Sequence, residues 1–165
     1  WDWVLGVNLL GVVHGCRAFG RAMVARGSGH VVNMSSGLAY APRATEPAYV
    51  TSKAAVLALT RCLRADWGPR GVGVSAICPG VIATSIVERG RFRGERATAD
   101  SMARIRRAFA RGHPPSLVAD AVVEAIERDL PVVPVGLEAR IGWALHGLLP
   151  SRLVDRAART SVRGL

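Results

Sequence analysis

Short apolar runs bounded by turn signals alternate along this chain with longer segments of helical periodicity, and this alternation limits the possible folds most. Three apolar runs are predicted to be strands: 30–34 and 72–77, both buried, and 130–135, whose two prolines place it at or near a sheet edge. The spacing of apolar residues predicts helices over 1–26, 48–67, about 101–110 and 117–128, and one or two amphipathic helices from residue 137. Helices and strands in regular alternation are typical of a parallel sheet covered by helices.

The expected fold class is therefore α/β, with a Rossmann-like, doubly wound parallel sheet. Such a sheet has about six strands and a glycine-rich turn after the first, whereas this chain offers about three strands and no G-x-G-x-x-G. The looser G-x-G-x-x-A string at 71–76 enters a strand, so we interpret it as a chance match. Because the chain begins at Trp1 and lacks these front elements, we expect an N-terminally truncated domain.

Length and composition favour one partial domain with a real core, since 165 residues with 50% hydrophobic residues are too few for two ordinary domains. We divide it into a core over 1–80, an irregular Arg-rich segment over 81–115, and a helix, strand and amphipathic tail over 116–165. The longest uncharged stretch, 71–87, contains Pro79 and Gly80, so no membrane span is expected. Three cysteines without C-x-x-C spacing indicate free thiols in a reducing, cytoplasmic compartment.

The basic excess is composed almost entirely of arginine. The net charge is +10, from 22 basic and 12 acidic residues, and Lys53 is the only lysine. This uniform replacement of Lys by Arg is typical of compositional bias rather than of a nucleic-acid-binding surface, so no nucleic acid is expected as a partner. An Arg-rich module for an anionic ligand or nucleic acid stays open as an alternative, through the cluster Arg89, Arg91, Arg93 and Arg96. No histidines have metal-ligand spacing, so no metal is predicted.

A tyrosine and the only lysine lie four residues apart, at Tyr49 and Lys53. On a helix these side chains share one face. A free phenol is a poor base at neutral pH, and a neighbouring ammonium should lower its pKa, which makes the pair a candidate general acid/base. A guanidinium cannot replace a compact ammonium that must reach two close oxygens. Tyr40 has no lysine four residues on and is expected to be a packing or pocket residue.

Two further polar residues are placed where a ligand could meet them. Ser36 follows a predicted strand by two residues, at the carboxyl end where open α/β sheets bind ligands. Ser35 is the alternative hydroxyl. Asn8 lies on an otherwise apolar helix face, where an amide is costly unless it bonds a partner.

Through these residues, the sequence resembles the short-chain dehydrogenase/reductase family. The matching elements are Asn8 in VNLLGVVHG, Ser36 in VVNMSSG, Tyr49 and Lys53 in YVTSK, and the Pro79-Gly80 turn with Thr84 in CPGVIAT. The resemblance covers the C-terminal, catalytic part of such a domain. The chain is also similar to the reductase half of bacterial proteins that join this domain to an α/β-hydrolase.

The resemblance implies that the chain transfers a hydride between NAD or NADP and a carbonyl or alcohol. Tyr49 would be the general acid/base, Ser36 would bond the same substrate oxygen, and Asn8 would hold a relay water. Lys53 would lower the pKa of Tyr49 and bond the nicotinamide ribose. The carboxamide of the cofactor would be held by Pro79, Gly80, Ile82 and Thr84.

The remaining expectations concern substrate, partners and location. Residues 81–115 would form a lid whose apolar side chains favour a hydrophobic substrate. The resemblance implies a homo-oligomer paired through the helices over 1–26 and 48–67, and a fragment without the cofactor-gripping front is expected to be inactive. The amphipathic tail leaves weak membrane or lipid contact open, peripheral to an otherwise cytoplasmic location. A non-catalytic scaffold with the same fold is the competing alternative.

Overall fold

A three-stranded parallel sheet organises the protein, as seen in a computed structural model that describes residues 1–94 and 97–163. The strands are β1 (Gly29–Met34), β2 (Val72–Pro79) and β3 (Val132–Val135), in the order β1-β2-β3. Gly29 pairs with Val72 at one end of the first ladder, and Pro79 pairs with Val135 at the end of the second. The α/β class and the parallel sheet are confirmed, and β3, with its prolines, lies at an edge as predicted.

Seven helices accompany the sheet in the described ranges. They are α1 (Asp2–Arg26), α2 (Pro47–Trp67), α3 (Ile86–Arg89), α4 (Ala99–Ala110), α5 (Pro115–Glu127), α6 (Leu137–Leu145) and α7 (Ser151–Arg163). The sequence did not predict the short helix α3 or the one-turn 3₁₀ helix Gly37–Ala39 after β1. Both are short segments without a full period of apolar residues, so their pattern carries little signal.

Strand β2 lies at the centre of the core and contributes side chains to both faces of the sheet. Ala76 and Cys78 pack on one face with Leu57 of α2, while Ile77 packs on the other with Ala125 of α5. All three strand residues are fully buried. This is the period-two alternation of a strand whose two faces are both covered by helices.

Helix α1 contains a π segment, Gly6–Leu10, between two α-helical parts. It is the one helix of the described residues long and apolar enough to cross a membrane, judged by length and composition alone. The prediction of no membrane span was based on uncharged stretches, and Arg17 and Arg21 interrupt this helix. Core helices of soluble domains can match this length and hydropathy but are mostly buried, whereas 11% of the most apolar window of α1 is buried.

Candidate functional site

The candidate site lies at the carboxyl end of the sheet, where the chain leaves β1. The N–H of Ser35 still donates to the carbonyl of Ile77 at 2.8 Å, and the chain then turns away from the sheet at Ser36. Ser36 caps the 3₁₀ helix Gly37–Ala39, and its Oγ accepts a hydrogen bond from the N–H of Leu38 at 3.2 Å. The strand end thus fixes the Ser36 hydroxyl at the mouth of the sheet.

Helix α2 brings Tyr49 and Lys53 to the same place, in its first two turns. Pro47 is the first residue of the helix, where its missing N–H costs no hydrogen bond. The Ser36 side chain lies close enough to the Tyr49 phenol to lower the pKa of that phenol. The Nζ of Lys53 donates to the carbonyl of Met34 at 2.9 Å and lies 5.8 Å from the centre of the Tyr49 ring. The structure therefore brings the three predicted groups together at one edge.

Burial shifts the two titratable groups of this trio toward their neutral forms. It raises the pKa of the Tyr49 phenol; the hydrogen bond from Ser36 opposes this shift and the Glu46 carboxylate adds to it. It lowers the pKa of the Lys53 ammonium. The prediction that the pKa of Tyr49 is lowered is therefore wrong for this structure. The physical reason is that the ammonium loses solvation as well and is directed at the Met34 carbonyl.

Asn8 lies in the π segment of α1 and is joined to helix α2. Its Nδ2 donates to the Oγ of Ser52 at 3.2 Å, and that hydroxyl donates to the backbone carbonyl of Tyr49 at 2.7 Å. Ser52 is fully buried. The Asn8 side-chain amide therefore has a hydrogen-bond partner, as an amide on an apolar helix face requires. π segments inside α-helices occur frequently at functional sites. Asn8 thus reaches the backbone of the helix that carries Tyr49 and Lys53.

The two adjacent serines have different partners. The Oγ of Ser35 donates to the backbone carbonyl of Lys53 at 2.8 Å, which ties β1 to α2. Ser36 is the one whose side chain meets the phenol. Cys78 lies fully buried beneath them, and burial raises the pKa of its thiol to about 11, against the effects of Ser35, the Ser36 backbone and Lys53. A thiol with that pKa stays protonated at neutral pH.

The turn after β2 carries the four residues that the family resemblance assigned to the cofactor. Pro79 ends β2, and the N–H of Gly80 donates to the carbonyl of Val135 at 2.9 Å. Ile82 is buried and forms a parallel bridge with His113, whereas Thr84 is exposed. The turn is therefore anchored to β3 at its start and to the segment before α5 farther along.

Glu138 and His113 hold this turn, and neither was predicted from the sequence as a site residue. The Oε1 of Glu138 accepts the N–H of Val81 at 2.7 Å, and its Oε2 lies 3.1 Å from the Nε2 of His113. A side chain at Gly80 would collide with the same carboxylate. Partial burial raises the pKa of Glu138, but the hydrogen bonds from Val81 and from its own backbone, together with His113, lower it overall.

The other singled-out residues do not join the site. Tyr40 is a packing residue, one of the two roles predicted for it: its buried hydroxyl donates to the carbonyl of Ala139 at 2.9 Å, and its ring meets Trp143 edge to face. Of the arginine cluster, Arg91 lies over the ring of Trp3, 4.6 Å from its centre, and Arg96 is outside the described residues. The described ranges contain no group of His, Cys, Asp or Glu placed to hold a metal ion.

Comparison with known proteins agrees with this geometry. A family model described as short chain dehydrogenase matches residues 1–92. The chain is 45% identical over 174 residues to "Probable oxidoreductase EphD" of Mycobacterium tuberculosis, a match that covers 99% of this chain and 28% of that protein. It is 46% identical over 98 residues to "Galactitol 2-dehydrogenase (L-tagatose-forming)" of Cereibacter sphaeroides, covering 58% of this chain and 38% of the relative.

Solved structures match as well. A short chain dehydrogenase/reductase from Burkholderia phymatum, crystallised in complex with NAD, superimposes with a TM-score of 0.72 and 33% identity, over 81% of this chain and 52% of that one. The chain thus spans about half the length of that structure and about a quarter of the mycobacterial relative. From the family match over more than half of its residues, and from the shared architecture, this chain belongs to the short-chain dehydrogenase family.

Proposed function

We propose that this chain carries the catalytic part of an NAD(P)-dependent oxidoreductase that interconverts a carbonyl and an alcohol, an activity of the EC 1.1.1 type. One observation carries the proposal: the Ser36 hydroxyl, the Tyr49 phenol and the Lys53 ammonium meet at the carboxyl edge of the parallel sheet. Open α/β sheets bind their ligands at that edge. The NAD bound in the Burkholderia phymatum relative adds support for the cofactor class.

The residues at this edge fit the nicotinamide half of such a cofactor. The Lys53 ammonium has three N–H donors, and the described residues give it one hydrogen-bond acceptor, the Met34 carbonyl. It can therefore also bond ribose hydroxyls. Beyond it, Pro79, Gly80, Ile82 and Thr84 line the turn that would hold the carboxamide. The nicotinamide, when bound, supplies or accepts the hydride.

The chain's own residues would handle the proton and the developing charge. Tyr49, neutral because burial raises its pKa, is suited to donate a proton to the substrate oxygen as that oxygen gains electrons. Ser36, beside the phenol, would donate to the same oxygen and stabilise its charge. Asn8 would order a water that returns the proton through Lys53. The Ser52 contact makes it a positioning residue for helix α2 as well.

The substrate class that we propose is a hydrophobic carbonyl or alcohol. The segment over 81–115, which would lie above the site, exposes apolar side chains: Ile86 is 48% exposed and Phe92 43%. Exposed apolar groups close to a catalytic edge favour apolar ligands. Turnover restricted to small polar polyols would contradict this part of the proposal.

The chain's two tyrosines provide a matched test in the intact protein. Tyr49→Phe should reduce kcat by a factor on the order of 10²–10⁴, a loss far larger than its effect on unfolding can explain. Tyr40→Phe removes a buried hydroxyl that bonds the carbonyl of Ala139, so it should lower stability and leave kcat unchanged. Lys53→Arg should lower kcat and raise the KM for the cofactor, because a guanidinium does not fit the ammonium's place. Equal turnover by the two Tyr→Phe variants would refute the role of Tyr49 and favour the non-catalytic alternative.

We also propose that these 165 residues do not suffice for turnover. The glycine-rich turn that grips a dinucleotide pyrophosphate is not among them. The isolated chain should therefore show no saturable rise in unfolding temperature with micromolar NAD or NADP. A clear saturable shift would contradict this. We further propose self-association through α1 and α2, where Phe19 of α1 is 66% exposed; light scattering on a Phe19→Glu variant tests it.

A further inference from the structure

The outward face of helix α6 is apolar, although this helix packs tightly on its other side. Leu137, Ile141 and Leu145 recur at four-residue steps and are 68%, 50% and 42% exposed. The opposite face places Ala139 against Gly37 and turns Trp143 toward Tyr40. Because α6 already has its core contacts, the outward leucines and isoleucine need another explanation.

Exposed apolar side chains also follow the helix along the chain. Leu148 is 77% exposed, Leu149 39% and Leu153, in the first turn of α7, 50%. We call the six residues the apolar stripe: Leu137, Ile141, Leu145, Leu148, Leu149 and Leu153. Six exposed apolar residues within 17 positions of the chain exceed the single scattered ones of ordinary surface, and such concentrations mark interaction sites.

Helix α7 divides sharply into an apolar and a basic side. Arg152, Arg156 and Arg159 follow one another at steps of four and three, so they share one face, while Leu153 and Val154 lie on the other. Among the described residues, α7 has no extensive contact with another element, although Val154 on its apolar side is half-buried. A helix of 13 residues is only marginally stable alone in water, so a further surface along its apolar side would stabilise it.

Charge decides which surface fits best. Arg140 flanks the apolar stripe on α6, and the three arginines of α7 follow it. A second copy of this chain would bring the same cations, and a net charge of +10, against them. An anionic lipid surface offers the opposite charge and an apolar layer beneath it. Apolar residues on one face and arginines on the other are typical of helices that lie in the bilayer interface.

We propose that the apolar stripe and the arginines beside it dock this protein peripherally on an anionic lipid bilayer. Helix α6 connects this surface to the candidate site, because Glu138, next to Leu137, bonds the N–H of Val81 in the turn after β2. Docking would thus place the site beside the lipid, from which a hydrophobic substrate could enter. That consequence rests on the proposed function, whereas lipid binding itself does not.

The test is co-sedimentation of the intact protein with phosphatidylcholine vesicles that contain or lack phosphatidylglycerol, without cofactor or substrate. We expect binding to the anionic vesicles alone, and its loss at roughly 1 M salt, where the Debye length falls to about 3 Å. Arg152→Gln and Arg156→Gln together should weaken binding about 25-fold, since each basic residue near an anionic surface contributes roughly fivefold.

The apolar contribution has a matched control. Leu148→Glu with Leu153→Glu should reduce binding at least about tenfold. Val123→Glu with Ile126→Glu makes the same charge change at two apolar positions of α5 that are 52% and 45% exposed. This variant separates the effect of charge from that of the apolar stripe, and we expect its vesicle binding to be close to that of the unaltered protein. The proposal is overturned by absence of binding to anionic vesicles, or by equal losses in both double variants. Dissociation of an oligomer by the leucine pair, without vesicle binding, would assign the surface to a second copy instead.

Discussion

Glu138 allows a quantitative test of how the turn after β2 is held. Glu138→Ala leaves the N–H of Val81 without the acceptor that now lies at 2.7 Å, and it removes the contact with His113. Glu138→Gln keeps a carbonyl oxygen that can accept the same N–H and loses only the charge. The two substitutions therefore separate the hydrogen bond from its charge.

The magnitude follows from burial and hydrogen bonding. A hydrogen bond to a charged group contributes about 1.5–3 kcal/mol, and the 45% exposure of the Glu138 side chain places this one at the lower end. We expect a loss of about 1.5 kcal/mol for the Ala variant and about 0.5 kcal/mol for the Gln variant. At this chain length these losses correspond to Tm decreases of about 3–6 °C and 1–2 °C.

Urea unfolding measured against pH is the assay. The pKa of Glu138 is lowered in the folded protein, so its ionised form contributes stability above the unfolded pKa of about 4.3, and this contribution is lost as the pH falls through the lower folded value. The difference between wild type and Ala variant should shrink in that window. Glu127→Ala, at the exposed end of α5, is the control. Equal losses for Ala and Gln, or no loss for Ala, would refute the reasoning.

Two further predictions concern stability away from the site. Gly20→Ala should cost about 1–3 kcal/mol, because the added methyl would collide with the indole of Trp67, whereas Gly15→Ala, which meets open space, should gain about 1 kcal/mol; thermal unfolding of the pair checks both signs. The hydrogen bond from Arg64 lowers the pKa of Asp129, so its contribution is present above about pH 4 and lost as the pH falls through the lower folded value. Asp129→Asn should therefore flatten acid unfolding below about pH 4, and an unchanged acid transition would contradict the pairing.

The regular core was predictable from local signals. Strand β2 is a run of small and β-branched residues, and α2 stops at Gly68-Pro69, so both elements lie where the pattern placed them. The Tyr49–Lys53 spacing likewise predicted a shared helix face. Such features need only neighbours within a few residues, and a single sequence contains those neighbours.

Contacts between distant segments were not predictable. Glu138 meets Val81 across 57 positions, and nothing near either residue marks the pair. The direction of the Tyr49 pKa shift was also missed, because it depends on how deeply the fold buries the phenol rather than on the lysine's spacing. A carboxylate two residues past a positive-φ glycine, Gly136, at the start of a helix is the only local signal that could have pointed to Glu138.

Strand β1 pairs with β2 on one side, and the described residues supply no strand for its other side. The free edge of β1 therefore carries unpaired peptide groups and lies next to an open pocket lined by Phe19 and Val31. An extended peptide could pair with this edge. Expressed by itself, the polypeptide should therefore be able to pair this border with a strand of another chain, since bare sheet borders template cross-chain pairing.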